Sequence, residues 1–206
     1  MAAQSIEHRT GTAAKIGPNA VIQTVNALLD LHGRAATQRL LEQIGKPWLL
    51  DYHPGALIDE HEFAALYHDL IGALGIDATG LVMARAGGRT ARYVMANRIP
   101  RPIHWLLRLL PRRLSLKLLL GAIGKHAWTF AGSGQFSYSL GRTPLLALAN
   151  SLTARGLASA GPACAFYQAA FQGFMETLID PRLRVREVRC AACGAARCEF
   201  TIEVAQ

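Results

Sequence analysis

The chain has 206 residues, 51% of them hydrophobic and only 17% charged, with a mean hydropathy of +0.18. A chain of this length and apolarity buries a sizeable core as one domain without disulfide staples, and its composition excludes the disordered class. The formal net charge of +8 rests on 18 Arg and 4 Lys, and Arg suits planar contacts to carboxylates and phosphates.

No apolar run reaches the ~18 residues of a membrane span. The most apolar stretch, 102–124, is interrupted by Arg108, Arg112, Arg113 and Lys117 and broken by Pro111. Residues 1–15 lack the apolar run of a secretory signal and read as a flexible lead-in to a domain over 16–206. A cytoplasmic, reducing compartment is therefore expected, in which four cysteines are not a disulfide framework. Nucleic acid is not an expected partner, because no helix-turn-helix, RNP motif or basic tail is present.

Taken in order, the first half reads helical. Over 16–32, Pro18 suits a first turn and Val21, Val25, Leu28 and Leu29 form an apolar stripe that Gly33 stops. A second helix, 34–44, ends at Gly45 and Pro47, and 46–55 reads as a loop. Asp59 and Glu62 have capping-box spacing ahead of Phe63, Leu66, Tyr67, Leu70, Ile71 and Leu74, which Gly75 ends. A helix over 78–97 is weakened by Gly87-Gly88, and basic helices over 102–110 and 112–125 flank Pro111.

The second half changes period. Alternation predicts strands at 135–140 and 145–150. Pro162 then opens a helix to 179 with Cys164, Tyr167, Phe171, Phe174 and Leu178 on its inner face. Strands at 182–189 and 198–204 form a second hairpin, with Cys198, Phe200, Ile202 and Val204 on one face. The expected fold class is α+β: N-terminal helices packed on a small antiparallel sheet of about four strands, with a helix crossing between its two hairpins.

The sharpest local signal is Glu187-x2-Cys190-x2-Cys193-x4-Cys198. Thiolates are soft ligands that suit zinc, and a tetrahedral site needs four donors. Strand parity turns Cys198 inward, Cys164 lies on the buried helix face, and Glu187 shares parity with Leu183 and Val185. An inward carboxylate is costly unless paired or ligated. Cys190 has the opposite parity to Glu187, so the strand must end or twist by about Val188 for both to reach one metal. An Fe–S cluster on the same thiols with Cys164 is disfavoured by the Glu-Cys-Cys spacing.

The run EVRCAACGAARCEF over 187–200 resembles the ending of the 4-vinyl reductase domain family. Asn150-Ser151 after a strand, Pro162-x-Cys164 opening a helix, and Phe171-x-Gly173-Phe174 resemble its upstream pieces, so the likeness covers about 134–204 by motif. In zinc-binding members one helix Cys and a Glu-Cys-Cys set hold the metal; the matching positions are Cys164, Glu187, Cys190 and Cys198. The extra Cys193 departs from the pattern and leaves open whether it or Glu187 is the fourth ligand. The implied fold is the ligand-binding one shared with TRAPP-type Golgi-transport subunits and haem-based NO sensors. Size, layout and the Arg-rich middle resemble the stand-alone member serving bacteriochlorophyll synthesis.

The family name implies a vinyl reductase, yet no dinucleotide-binding glycine motif and no P-loop is present, so enzymatic activity is left open. The expected function is a tetrapyrrole carrier or accessory protein at the vinyl-reduction stage. A true divinyl (proto)chlorophyllide reductase and a ligand sensor or assembly adaptor are the alternatives. The expected ligand is a magnesium porphyrin or chlorophyllide intermediate, with the other bacteriochlorophyll-synthesis enzymes as partners. Trp105, Trp128, Phe130, Phe136 and Tyr138 are candidate walls for such a disc; Arg98, Arg101, Arg108, Arg112 and Arg113 are candidate rim charges. His104 and His126 are candidate axial ligands. The basic, leucine-rich stretch 98–125 also reads as an element for peripheral contact with an anionic membrane.

Overall fold

Period-two alternation in the last part of the chain builds the sheet on which the helices rest. The computed structural model describes residues 14–205. Residues 1–13 of the expected lead-in lie outside the described residues, and Lys15 at its end is a strand residue.

Strand β1 (Lys15–Ile16) pairs antiparallel with β2 (Ile58–Asp59), and this ladder takes Ile16 out of the first helix, where the sequence pattern puts it. Helix α1 (Asn19–Gln43) follows Pro18. Gly33, at φ 74° and ψ 168°, breaks it at the expected stop, and the second expected helix continues beyond the kink. The expected loop holds a 3-10 turn, Pro47–Asp51.

Helix α2 (Glu60–Leu74) is capped by Asp59, which accepts the His61 N–H at 2.8 Å. The other half of the expected capping box is not made, because Glu62 accepts the Tyr52 hydroxyl at 2.9 Å instead. Helices α3 (Ile76–Arg98), α4 (Arg101–Leu109) and α5 (Arg112–Lys125) follow, then a single turn, α6 (Trp128–Ala131), that the sequence pattern does not suggest.

The sheet comprises β3 (Gln135–Ser139), β4 (Leu145–Ala149), β5 (Leu183–Arg189) and β6 (Cys198–Val204), in the order β3-β4-β6-β5, antiparallel throughout. Helix α7 (Ala165–Leu178) crosses between the two hairpins, which is the expected α+β arrangement. Edge strand β5 would leave N–H groups unpaired. Two glutamines on α7 cover them: Gln168 accepts from Glu187 and Gln172 from Val185, each at 2.7 Å.

Helix α7 has two buried faces, because it lies between α3 and the sheet. Tyr167 and Phe171 turn to the sheet, with the Phe171 and Phe200 rings 5.5 Å apart. Phe166 and Ala170 turn to α3, and Met175 is buried where the inner-face pattern places Phe174, which is half-buried. The approach to α3 is close. A Cβ on Gly87 would stand 2.0 Å from the Phe166 carbonyl oxygen, and one on Gly173 would stand 2.8 Å from the Ala91 Cβ. Gly87 is therefore the contact point rather than a weak spot in α3.

A buried carboxylate ties the helical half to the sheet. Glu60, 3% exposed, accepts from the Ser133 N–H at 2.7 Å, the Ser133 hydroxyl at 2.8 Å and Arg155 at 2.9 Å. Burial alone raises its pKa, but the Ser133 N–H, Arg155 and the Ser133 hydroxyl outweigh burial and hold the carboxyl below its ordinary value.

These contacts carry consequences for stability. Gly87→Ala lowers stability by about 2 kcal/mol or more, since overpacking at a backbone contact exceeds the ~1 kcal/mol helix-propensity gain. Gly88→Ala, whose Cβ meets nothing nearer than the Arg92 guanidinium at 3.7 Å, raises stability by about 0.5–1 kcal/mol. Urea midpoints of both variants check the pair. The depressed pKa of Glu60 means its stabilisation is present above the ordinary carboxylate range and is lost as pH falls through the native pKa. Glu60→Gln is thus destabilising at neutral pH and flattens the acid limb of the stability profile, as read by denaturant midpoints across acidic pH.

Candidate functional site

Four donors from three elements meet where α7 begins. Cys164 precedes the first turn of α7, Glu187 and Cys190 come from β5 and its end, and Cys198 opens β6. All four are buried, and their ligand atoms lie within 4.8 Å of one another. The parity conflict between Glu187 and Cys190 is resolved by an irregularity in the β5–β6 ladder between Glu187 and Arg189. One extra residue on the bulged strand turns Val188 outward, at 48% exposed, and returns Cys190 to the interior. Cys193 follows in a 3-10 turn, Ala191–Cys193, and is exposed, outside the cluster.

The sulfur of Cys164 lies 3.0 Å from that of Cys198, which in turn lies 4.0 Å from that of Cys190. Sulfurs around tetrahedral zinc stand about 3.8 Å apart, so small adjustments suffice. Glu187 Oε2 accepts the Cys164 N–H at 3.0 Å, while Oε1 is buried without a hydrogen-bond partner. A buried orphan carboxylate oxygen beside three thiols is the signature of a donor set that fits a cation. Among the described residues no Lys, Arg or His pairs with Glu187.

Donors surround the sulfurs. Cys190 accepts from the Ala163 N–H and Cys198 from the Ala191 N–H, both at 3.4 Å, and Cys164 from the Thr153 hydroxyl at 3.3 Å. Such contacts offset the excess negative charge that three thiolates and a carboxylate place around a divalent ion. Tyr67 braces the segment from α2 by donating to the Ala163 carbonyl at 2.8 Å. Sequence reasoning misses Tyr67 and Thr153. The only signal for Thr153 is its place just after Asn150-Ser151, and Tyr67 reads as an ordinary core position.

Without a cation the cluster favours its neutral forms. Burial, then the neighbouring Cys190 sulfur, push the Glu187 carboxyl up to about 8. Proton sharing with Cys190 and Cys198, with burial, pushes the Cys164 thiol well above its ordinary range.

The other expected site residues are more scattered. Phe130 and Phe136 are half-buried, 5.9 Å apart, and pack on Phe171 at 6.3 and 5.8 Å. Tyr138 stands beside Phe136 at 6.3 Å, partly exposed. Helix α5 lies over this strand through Gly121, near the Tyr138 hydroxyl, and Gly124, near the Phe136 ring. Trp105 and Trp128 are exposed, as are Arg98, Arg101, Arg108, Arg112 and Arg113. His126 is exposed; His104 is half-buried, with Nε2 buried and unpartnered. A surface hollow of about 350 Å³ opens beside the cysteine cluster, lined by Pro162, Val188, Arg189, Cys190, Cys193 and Ala195. No described helix is long and apolar enough to cross a membrane.

The raised Glu187 pKa yields a signed prediction for the metal-free protein. Its stability is complete below the ordinary carboxylate range and falls as pH rises toward about 8, by on the order of a few kcal/mol. Glu187→Gln removes this slope. Chelator-treated protein unfolded by urea at about pH 5 and about pH 8 measures it.

Comparison with known proteins agrees with this geometry. Residues 146–204, which hold all four donors, match the model of the 4-vinyl reductase domain family. The chain is 35% identical over 193 residues to the bacteriochlorophyll synthase 23 kDa chain of Cereibacter sphaeroides, covering 92% of this chain and 91% of that one. The protein of the same name from Rhodobacter capsulatus is 35% identical over 189 residues, covering 91% and 86%. Among solved structures, an H-NOX protein studied for the function of heme distortion superposes with a TM-score of 0.60 at 13% identity, covering 93% of this chain and 96% of that one. An H-NOX protein from S. oneidensis in the Fe(II)NO ligation state gives 0.59 at 14% identity, covering 91% and 99%. The helices-on-sheet fold is therefore that of H-NOX proteins, and the chain belongs to the 4-vinyl reductase domain family, among the bacteriochlorophyll synthase 23 kDa chains.

Proposed function

We propose that this protein is a tetrapyrrole-binding carrier or accessory protein of bacteriochlorophyll synthesis, acting at the vinyl-reduction stage and holding a structural zinc ion. The observation that carries the reading is similarity over nine-tenths of the chain to proteins named for bacteriochlorophyll synthase. The H-NOX likeness adds a fold used by proteins whose studies name heme, itself a tetrapyrrole. In this reading the protein works on the cytoplasmic side of the membrane, beside the enzymes that make and consume its ligand.

The junction of α5 with β3 is the place for the ligand. There glycines rather than bulky side chains face Phe136 and Tyr138, so a flat ring inserts by parting two surfaces that interlock little. The arginines from Arg98 to Arg113 supply cations for the propionate groups, and the unpartnered His104 Nε2 suits an axial ligand to magnesium. Apolar burial supplies most of the affinity, since an exposed Arg–carboxylate contact gives only ~0.2–1 kcal/mol.

Zinc is held by Cys164, Glu187, Cys190 and Cys198, and it ties α7 to the second hairpin. Because metal-binding free energy is folding free energy, its role is structural.

Two experiments test the reading. Purified protein titrated with magnesium protoporphyrin shows saturable absorbance changes without a reductant. Phe136→Ala weakens binding more than the few-fold loss from Arg112→Ala with Arg113→Ala. No saturable binding at micromolar pigment defeats the carrier reading, and turnover of a divinyl chlorophyllide with NADPH alone replaces it with a reductase. Elemental analysis finds one zinc per chain in the native protein and in Cys193→Ser, whereas Cys164→Ser loses the metal and unfolds at markedly lower urea concentration. Metal lost from Cys193→Ser but kept by Glu187→Ala reverses the assignment of the fourth ligand.

A further inference from the structure

The charge of this protein is distributed unevenly along the chain. Between Asp77 and Glu176 there is no acidic residue, while ten arginines and two lysines fall there. Helices α4 and α5 sit in the middle of that stretch, joined at Pro111.

Helix α4 is amphipathic with its apolar stripe turned outward. Trp105, Leu106 and Leu109 lie on one face at i, i+1 and i+4, and they are 69%, 46% and 80% exposed. Its opposite side is fixed to the body. The Ser115 hydroxyl donates to the Leu107 carbonyl at 2.6 Å, Arg108 Nε donates to the Thr177 carbonyl at 2.9 Å, and Leu107 is buried. The stripe therefore cannot roll inward without breaking both bonds. Leu114 and Leu118 of α5, 43% and 47% exposed, extend the exposed apolar surface beyond the Pro111 corner.

Burying such a stripe would ordinarily stabilise the protein, so leaving it in water implies an occupant. The chemistry of that occupant follows from the surrounding charge. Asp180, whose carboxylate senses Arg112, is already paired with Arg182 at 2.9 Å. Among the described residues, the cations beside the leucines thus have no carboxylate of their own and can face an external anionic surface. An acidic protein or nucleic acid would meet the cations but give three large apolar side chains no medium to enter. A bilayer with anionic headgroups satisfies both, with Trp at the headgroup level and leucines among the upper acyl carbons.

We propose that α4, continued by the start of α5, is a docking surface for an anionic lipid bilayer, lying flat in the interface with Trp105, Leu106 and Leu109 inserted. The proposal stands apart from the tetrapyrrole reading, and neither requires the other.

Co-sedimentation of the full chain with phospholipid vesicles tests it. Vesicles of phosphatidylcholine mixed with phosphatidylglycerol bind the protein, and phosphatidylcholine alone binds it roughly tenfold or more weakly. Leu109→Glu weakens binding to the mixed vesicles by about tenfold or more, and Leu106→Ser does so to a lesser degree. Both positions are exposed, so circular dichroism and zinc content stay as in the native protein. No binding to the mixed vesicles overturns the proposal, as does equal binding to neutral ones or binding indifferent to Leu109→Glu. A dimer in sedimentation of the protein alone that Leu109→Glu splits would assign the stripe to a second copy and overturn it as well.

Discussion

Helix α7 lies between α3 and the sheet because two glycines let backbones come together where any side chain would collide. Gly87 brings α3 onto the Phe166 carbonyl, and Gly173 brings α7 onto Ala91. Everything on the sheet side is placed by that contact. Tyr167 and Phe171 reach the sheet, Gln168 and Gln172 reach the edge of β5, and Cys164 arrives where the second hairpin presents its own donors. The helical half is thus more than a cover for the sheet, since it sets the depth at which α7 sits.

The donor cluster and the α3–α7 contact anchor opposite parts of the same helix. At its N-terminal end, Glu187 accepts the Cys164 N–H, and the positive end of the helix dipole faces the sulfurs. Farther along, the close approach of backbones leaves no freedom to slide. A cation at the cluster would therefore fix a helix already held against α3, and it would resolve the one orphan oxygen in the set, Glu187 Oε1. Glu60 plays a comparable part for the N-terminal ladder, with a partner set of hydroxyl, N–H and guanidinium in place of a metal.

The sheet is readable in the sequence because each long strand alternates over enough residues to show a period, as in Cys198, Phe200 and Ile202. The cysteine cluster is readable for the same reason, up to the conflict at Cys190, since a bulge leaves no mark on composition. Strands of two residues, such as Lys15–Ile16, have no period to detect, and α6 is a single turn. Gly87-Gly88 reads as a weakness in a helix because the atom that explains it belongs to Phe166, far along the chain. Helical spacing marks the stripe on α4 but does not say which way it faces. Whether leucines turn in or out is decided by neighbours such as Ser115 and Thr177, whose contacts are tertiary.

The bulge at Val188 bears on how the chain tolerates changes of length. The spacing from Glu187 to Cys190 is locked to the hydrogen-bond ladder, so one inserted or deleted residue there would exchange inside for outside and expel a sulfur. The turn after it is different. Gly194, at φ 90°, and the residues leading to Cys198 form a surface connection that re-enters the ladder only at β6. Extra residues in that connection would lengthen a loop without reversing any side chain. The second hairpin is therefore rigid in one arm and elastic in its turn, and the elastic part includes the margin of the hollow beside the cysteines.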